Sequence, residues 1–222
     1  MAKIDSTIGV RVTPTEKSWL QERLDGIGAS DAAAILGLSP YMSNERLWEI
    51  KTRRVVPDDI SHSPFVQYGK TAEKHLRELF ALDFPEYTVG YRDFDIVRNP
   101  DYPFIFATLD GRLTGSDDRN GVLEIKTTEI MQPGQWDKWK DRIPDNYYIQ
   151  VLHQLLATGW DFAVLKAQIK WRKDDEINLT TRHYHIERGL VADDIGYLLV
   201  EEIKFWENVQ QDRRPNTKLP PI

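Results

Sequence analysis

Apolar positions in this chain change period repeatedly, and each change marks an element. Phe65, Tyr68, Ala72, Leu76, Leu79 and Phe80 recur at three- and four-residue intervals, which predicts an amphipathic helix over Phe65–Leu82. Helices are also predicted over Asn44–Thr52, over Asn146–Thr158, where Gly159 supplies a stop, and over Val191–Gln211. In the last of these, Ile195, Leu198, Leu199, Ile203 and Trp206 lie on one side and are expected to pack on the core. Shorter helices are predicted over Trp19–Leu24, over Asp31–Leu36 (closed by Gly37) and over Trp136–Trp139. Strand signals cover Tyr87–Val97, Phe104–Leu109, Arg112–Leu113, Ala163–Trp171 and Arg182–Ile186. Val122–Thr127 is rich enough in β-formers to be a central strand. Together these segments predict an α/β chain, a mixed β-sheet flanked by helices. The chain reads as one domain over 1–222 with its core at about 17–211; residues 1–16 and the proline-rich 213–222 are expected to be loose or extended arms.

Composition narrows the chemistry. The chain has 222 residues, 41% hydrophobic and 29% charged, enough for a sizeable soluble core. No apolar run approaches the ~20 residues of a membrane span, and the start MAKIDSTIGV lacks the apolar core of a signal peptide. There are no cysteines, which excludes disulfides, Cys-based zinc sites and iron–sulfur clusters and makes a reducing, cytoplasmic setting the expectation. The net charge of −6 means that any nucleic-acid surface must concentrate its positive charge in one place.

The tripeptide Glu-Ile-Lys occurs three times, at 49–51, 124–126 and 202–204. The first and last copies fall in helical sequence, where residues i and i+2 diverge by about 200°. Their acid and lysine cannot converge, and both pairs are expected on solvated helix faces. The middle copy lies in the predicted central strand, where i and i+2 share a face. Glu124 and Lys126 then stand side by side with Ile125 facing the opposite core. If the chain between Asp110-Gly111 and Glu124 folds back as a hairpin, Asp110 is brought beside Glu124. Two carboxylates meeting at one site repel unless a cation sits between them. Oxygen ligands without Cys or His select Mg²⁺ or Mn²⁺, and the Ile125 carbonyl is the nearest third oxygen.

Three further groups have two readings each. Glu73 falls on the apolar side of the Phe65–Leu82 helix, where an acid either takes a basic partner or serves as a third carboxylate. Gln150 and Gln154 share a helix face; such amides either bond to the backbone or hold a phosphate or water. In RLDGIGASD, Ser30 reads as the N-cap of the helix that follows, with Asp31 at its first position. The alternative is an anion site, with Arg23 as a forked donor beside the helix N-terminus.

Asp110, about fourteen residues, then Glu124-x-Lys126 on a strand is the pattern of PD-(D/E)xK nucleases, although Leu109 stands where the pattern has proline. RLDGIGASDAAAILGLSPYMSNERLWEIK, FVQYGKTAEKHLRELF, ATLDG, LEIKTT and YYIQVLHQLLATG, in that order, resemble the λ-exonuclease (YqaJ-type viral recombinase) family. The resemblance implies a PD-(D/E)xK core and a phage-type 5′→3′ exonuclease acting on double-stranded DNA ends. It would release mononucleotides and leave a 3′ single-stranded tail for recombination. It also implies two Mg²⁺ ions per site, a homotrimeric ring and a single-strand-annealing protein as partner. Matched residue by residue, it implies metal ligation by Asp110, Glu124 and the Ile125 carbonyl, with Glu73 near a second metal. It further implies catalytic roles for Lys126 and Gln150, and 5′-phosphate recognition by Arg23 and Ser30. In a ring only the inner face meets DNA; Arg46, Lys51, Arg53, Arg54, Lys70 and Lys138 are candidates for it. The alternatives are a restriction or junction-resolving endonuclease of the same superfamily, and an inert DNA-end-binding protein.

Overall fold

A five-stranded mixed sheet, in the order β2-β5-β6-β7-β8, carries the middle of the chain. The computed structural model describes residues 9–12, 16–174 and 176–218. In chain order the elements are β1 (Gly9–Val12), α1 (Glu16–Glu22), α2 (Ala29–Ile35), α3 (Asn44–Lys51), α4 (Pro64–Asp83), β2 (Thr88–Gly90) and β3 (Asp95–Arg98). They continue with β4 (Phe106–Ala107), β5 (Gly111–Thr114), β6 (Asn120–Ile130), α5 (Asp145–Thr158), β7 (Phe162–Lys173), β8 (Glu176–Glu187) and α6 (Ala192–Gln210). Short 3-10 helices span Arg23–Asp25, Pro133–Lys138 and Arg188–Val191. The β6–β7 pair is parallel and the other pairs in this sheet are antiparallel. Strands β1, β3 and β4 form a separate three-stranded sheet.

The central strand β6 is buried from Gly121 to Ile125 because both its faces are covered. Leu123 and Ile125 pack with Leu76 and Phe80 of α4 and with Phe162 and Val164 of β7. Val122, on the opposite face, joins Ile149, Leu152 and Leu156 of α5 and Ile195 and Leu198 of α6. Each such side chain contributes about 1.5–3 kcal/mol by leaving water. The alternation along β6 therefore sets which groups reach the α5 side, and Glu124 is among them. Helix α5 ends where Gly159 adopts φ 71°, a left-handed C-cap that suits glycine. Helix α6 lies on the core as expected, with Trp206 stacked on Phe104 at 5.5 Å.

Several expectations need correction. Tyr87–Val97 is not one strand. Phe94 turns left-handed (φ 56°), and β2 and β3 on either side of the break belong to different sheets. Only Phe106–Ala107 of Phe104–Leu109 is laddered; the hairpin between Asp110-Gly111 and Glu124 does form, as β5–β6, with its turn closed where Gly115 N–H donates to the Arg119 carbonyl at 2.9 Å. Residues 9–12 of the supposed loose arm pair with β3, and α1 begins at Glu16. In the C-terminal arm, Asn44 holds Asn216 and Lys218 by hydrogen bonds of 2.8 and 3.0 Å, and residues 219–222 lie outside the described residues. The outer Glu-Ile-Lys copies are each only half solvated: Lys51 is 8% exposed and Glu202 is fully buried. Another helix covers one side chain of each pair. Lys51 meets Asp31 of α2, and Glu202 meets His153 of α5. Among the described residues, no helix is long and apolar enough to cross a membrane.

Candidate active site

The β5–β6 register brings Asp110 to Glu124. Gly111 stands opposite Leu123, so Asp110, one residue before β5, lies beside Glu124. Beyond this point β6 has lost its β5 neighbour, and the Ile125 N–H, which faces that side, donates to Asp110 Oδ2 at 2.8 Å. A strand residue's C=O points to the same side as its N–H, so the Ile125 carbonyl faces the same gap. Glu124 is 2% exposed and takes three donors. Gln150 Nε2 lies 2.7 Å and Lys126 Nζ 2.5 Å from its Oε1, and the Gln154 amide donates to its Oε2. Gln154 takes neither role expected of it, backbone bonding or the holding of a phosphate or water: it is fully buried against Glu124, and its own Oε1 has no partner among the described residues.

Asp110, Glu124, Ile125, Lys126 and Gln150 line a cavity of about 220 Å³ with Glu73, Arg23, Ser30, Gly69 and Thr127, and Gln154 supports it from behind. Helix α4 reaches the end of β6 because Gly69 lacks a side chain; a Cβ there would stand 3.2 Å from Thr127 Oγ1. Glu73 faces the cavity, but its carboxylate is held by Arg77 at 3.0 Å, one helical turn on. Arg77, which the sequence reading did not single out, also donates to the Asp110 backbone carbonyl. Asp110 titrates well above the usual carboxylate range, pushed up by burial first and then by the charges of Glu124 and Glu73. Burial pulls the Lys126 ammonium down, but Glu124 and Asp110 outweigh it and hold the group above its ordinary value.

The opposite wall is the GIGASD loop. Ile27 N–H donates to the Phe104 carbonyl at 2.6 Å and Phe106 N–H to the Ile27 carbonyl at 3.0 Å, which docks the loop on β4. Gly26 permits this contact, since a Cβ would fall 2.4 Å from the Phe104 oxygen. Ser30 is not the N-cap of α2. The helix starts at Ala29, Gly28 is its cap, and Asp31 occupies the third position, with Oδ2 accepting from Gly28 N–H at 2.9 Å. Ser30 Oγ is thus free to accept from Arg23 at 3.1 Å, and the Arg23 guanidinium lies over the Trp19 ring at 4.7 Å. Lys51 fixes the arrangement from behind, with Nζ 2.7 Å from Asp31 Oδ2 and 2.8 Å from the Arg23 carbonyl. It therefore does not belong to a DNA-facing surface. Arg46, Arg53 and Arg54 have acidic partners as well, whereas Lys70 and Lys138 are exposed.

The donor set fits a hard divalent cation. Two carboxylates and a backbone carbonyl converge, and the raised Asp110 marks a concentration of negative charge that one lysine does not cancel. Among the described residues, no three His, Cys, Asp or Glu side chains form a cage, so the carbonyl and solvent must complete any coordination.

Comparison with known proteins agrees with this geometry. The YqaJ-like viral recombinase domain family matches residues 18–161. The YqaJ protein of Bacillus subtilis strain 168 is 32% identical over 200 residues, which is 86% of this chain and 55% of that protein. The chain thus spans little more than half the length of that relative. The alkaline exonuclease LHK-Exo of Laribacter hongkongensis superimposes with a TM-score of 0.64 at 17% identity, covering 88% of this chain and 93% of that one. Its complex with dAMP superimposes with a TM-score of 0.61. A phage-related exonuclease of Haemophilus somnus 129PT gives 0.50 at 13% identity, covering 84% and 96%. At these identities the structural likeness is one of fold: a PD-(D/E)xK core of mixed sheet and flanking helices.

Proposed function

The chain belongs to the YqaJ-like viral recombinase family, and on that premise we propose that it is a phage-type 5′→3′ exonuclease. Its substrate is the 5′-phosphorylated strand of linear duplex DNA, and its products are mononucleotides and a 3′ single-stranded tail. The observation that carries the reading is a single cavity with Asp110, Glu124 and Lys126 on one wall and Arg23 and Ser30 on the other. The fold likeness to LHK-Exo, a protein crystallised with dAMP, supports a mononucleotide product.

Asp110, Glu124 and the Ile125 carbonyl would hold Mg²⁺, with Mn²⁺ as a substitute and Glu73 near a second ion. When bound, the ions supply Lewis acidity, lowering the pKa of water and neutralising phosphoryl charge. The chain's own groups do the rest. Gln150 and Gln154 lock the Glu124 carboxylate in one orientation. Lys126, held as a charged ammonium, sets a positive charge beside it and orients the attacking water. Water oxygen bonds to phosphorus, the bond to the 3′-oxygen breaks, and that oxygen leaves with a proton. Arg23 and Ser30 receive the 5′-phosphate, so the next phosphodiester, one nucleotide on, meets the acids.

The reading extends to one nuclease domain over 1–222, a homotrimeric ring and a single-strand-annealing partner in the host cytoplasm; sedimentation tests the ring. The deciding experiment digests linear duplexes labelled separately at each 5′ and 3′ end, with and without Mg²⁺, beside a closed circle. Early release of 5′ label as mononucleotide, only with Mg²⁺ and never from the circle, is expected. Release from 3′ ends first, or cutting of the circle, would sink it in favour of a different polarity or an endonuclease.

A further inference from the structure

A second, larger cavity of about 780 Å³ opens on the other side of the same wall, and Arg23, Glu73, Thr108 and Asp110 border both spaces. The first cavity, at about 220 Å³, falls below the roughly 300–1,000 Å³ of small-molecule sites, and the second falls within that range. In the function proposed above, on which this inference rests, Arg23 takes the 5′-phosphate and Asp110 stands at the scissile phosphate. Those two phosphates flank one nucleoside, the terminal one. Both anchors lie on the dividing wall, so that nucleoside is held at the mouth of the larger space.

The lining of that space suits a base better than more phosphates. It contains as many carboxylates as cations. A continuing strand would bring further negative charge to those carboxylates, whereas a base and sugar bring none. The walls are also planar. Tyr91 is 45% exposed, with the Arg77 guanidinium 3.5 Å from its ring centroid. Trp19 and Phe94 lie beside each other at 6.1 Å. Aromatic rings and guanidinium planes stack bases with little regard to sequence, as an enzyme that removes every nucleotide in turn requires. We propose that this second cavity receives the 5′-terminal nucleoside, its base turned out of the duplex, and that the deoxynucleoside 5′-monophosphate leaves through it.

The test is equilibrium binding of dAMP, deoxyribose 5-phosphate and inorganic phosphate to the full chain by calorimetry in Mg²⁺ buffer. For the wild type, dAMP should bind roughly tenfold more tightly than deoxyribose 5-phosphate, the part of its affinity due to stacking. Tyr91→Ala should remove most of that advantage and leave the other two ligands unchanged; Tyr91→Phe should keep it. Equal wild-type affinities for dAMP and deoxyribose 5-phosphate, no measurable dAMP binding, or equal weakening of all three ligands by Tyr91→Ala would overturn the assignment. Since the wild-type comparison decides by itself, a poorly folded Tyr91→Ala does not leave the matter open. Failure to digest linear duplex would remove the proposed function through a separate assay, while base-blind binding with digestion intact removes only this subsite.

Discussion

Replacing Lys51 by methionine tests whether the first Glu-Ile-Lys copy is structural. The Lys51 side chain is 4% exposed, and the Asp31 side chain it meets is 16% exposed. Methionine keeps the length and the packing but removes the charge. Breaking a buried pair by deleting one partner costs about 3–5 kcal/mol. Asp31 keeps its bond from Gly28 N–H and some contact with solvent, which argues for the lower end, about 3 kcal/mol. In a chain of this length about 2–4 °C of melting temperature is lost per kcal/mol, so a fall of roughly 6–12 °C is expected. The loss also depends on pH. Burial pushes the Asp31 carboxyl up, but the charge and hydrogen bond of Lys51, the charge of Arg23 and the Gly28 amide together hold it below its ordinary value. A depressed carboxylate stabilises the fold above the unfolded pKa, and that contribution disappears as pH falls through the folded value. The deficit of Lys51→Met should therefore be full at pH 7 and shrink in acid, where Asp31 takes up a proton. Urea unfolding at several pH values measures it, with Lys204→Met, whose side chain is 63% exposed, as control. Because Lys51 also holds the Arg23 carbonyl, the preference for 5′-phosphoryl over 5′-hydroxyl ends should fall in the same variant. Superimposable unfolding curves for Lys51→Met and Lys204→Met would refute the reasoning.

Three further perturbations bear on the site and its support. Lys126→Ala should lower single-turnover digestion by roughly 10²–10⁴-fold while circular dichroism and duplex binding stay close to wild type; undiminished turnover would remove the lysine from the mechanism. Gln154→Leu should slow digestion about tenfold, since a hydrogen bond to a charged group is worth roughly 1.5 kcal/mol or more. The urea midpoint should barely move, because the change also removes the unpartnered Gln154 Oε1. His153 has Glu202 2.6 Å from Nδ1 and the Phe106 carbonyl 2.8 Å from Nε2. Burial pushes this imidazole down, but the Glu202 charge and hydrogen bond and the Phe106 carbonyl outweigh it and raise it above its ordinary value. Its contribution is then complete below about pH 6.5 and is lost as pH rises through the raised folded value. Wild-type urea stability should therefore fall between pH 6 and 9 more steeply than that of Glu202→Gln, and parallel profiles would contradict the pairing.

Local periodicity was enough to place much of the site's machinery. The two-residue repeat of a strand puts Glu124 and Lys126 on one face, and the four-residue step of a helix stacks Gln150 on Gln154. Both facts follow from backbone geometry within a few residues, and so did the reach of α4 and the stop at Gly159. Tertiary structure decided what lies across from each group. Nothing near Lys51 or Glu202 in the chain indicates that α2 and α5 will cover them, because a helix face is solvated or buried according to what a distant segment brings to it. The start of α2 shifted for a related reason: Asp31 closes its cap on Gly28, which leaves Ser30 to Arg23. The meeting of Asp110 with Glu124, and of both with the GIGASD loop, depends on the β5–β6 register and on the docking of Ile27 against β4. Such contacts join residues far apart in the chain, and packing of the whole selects them, whereas a spacing rule can specify only which side chains share a face.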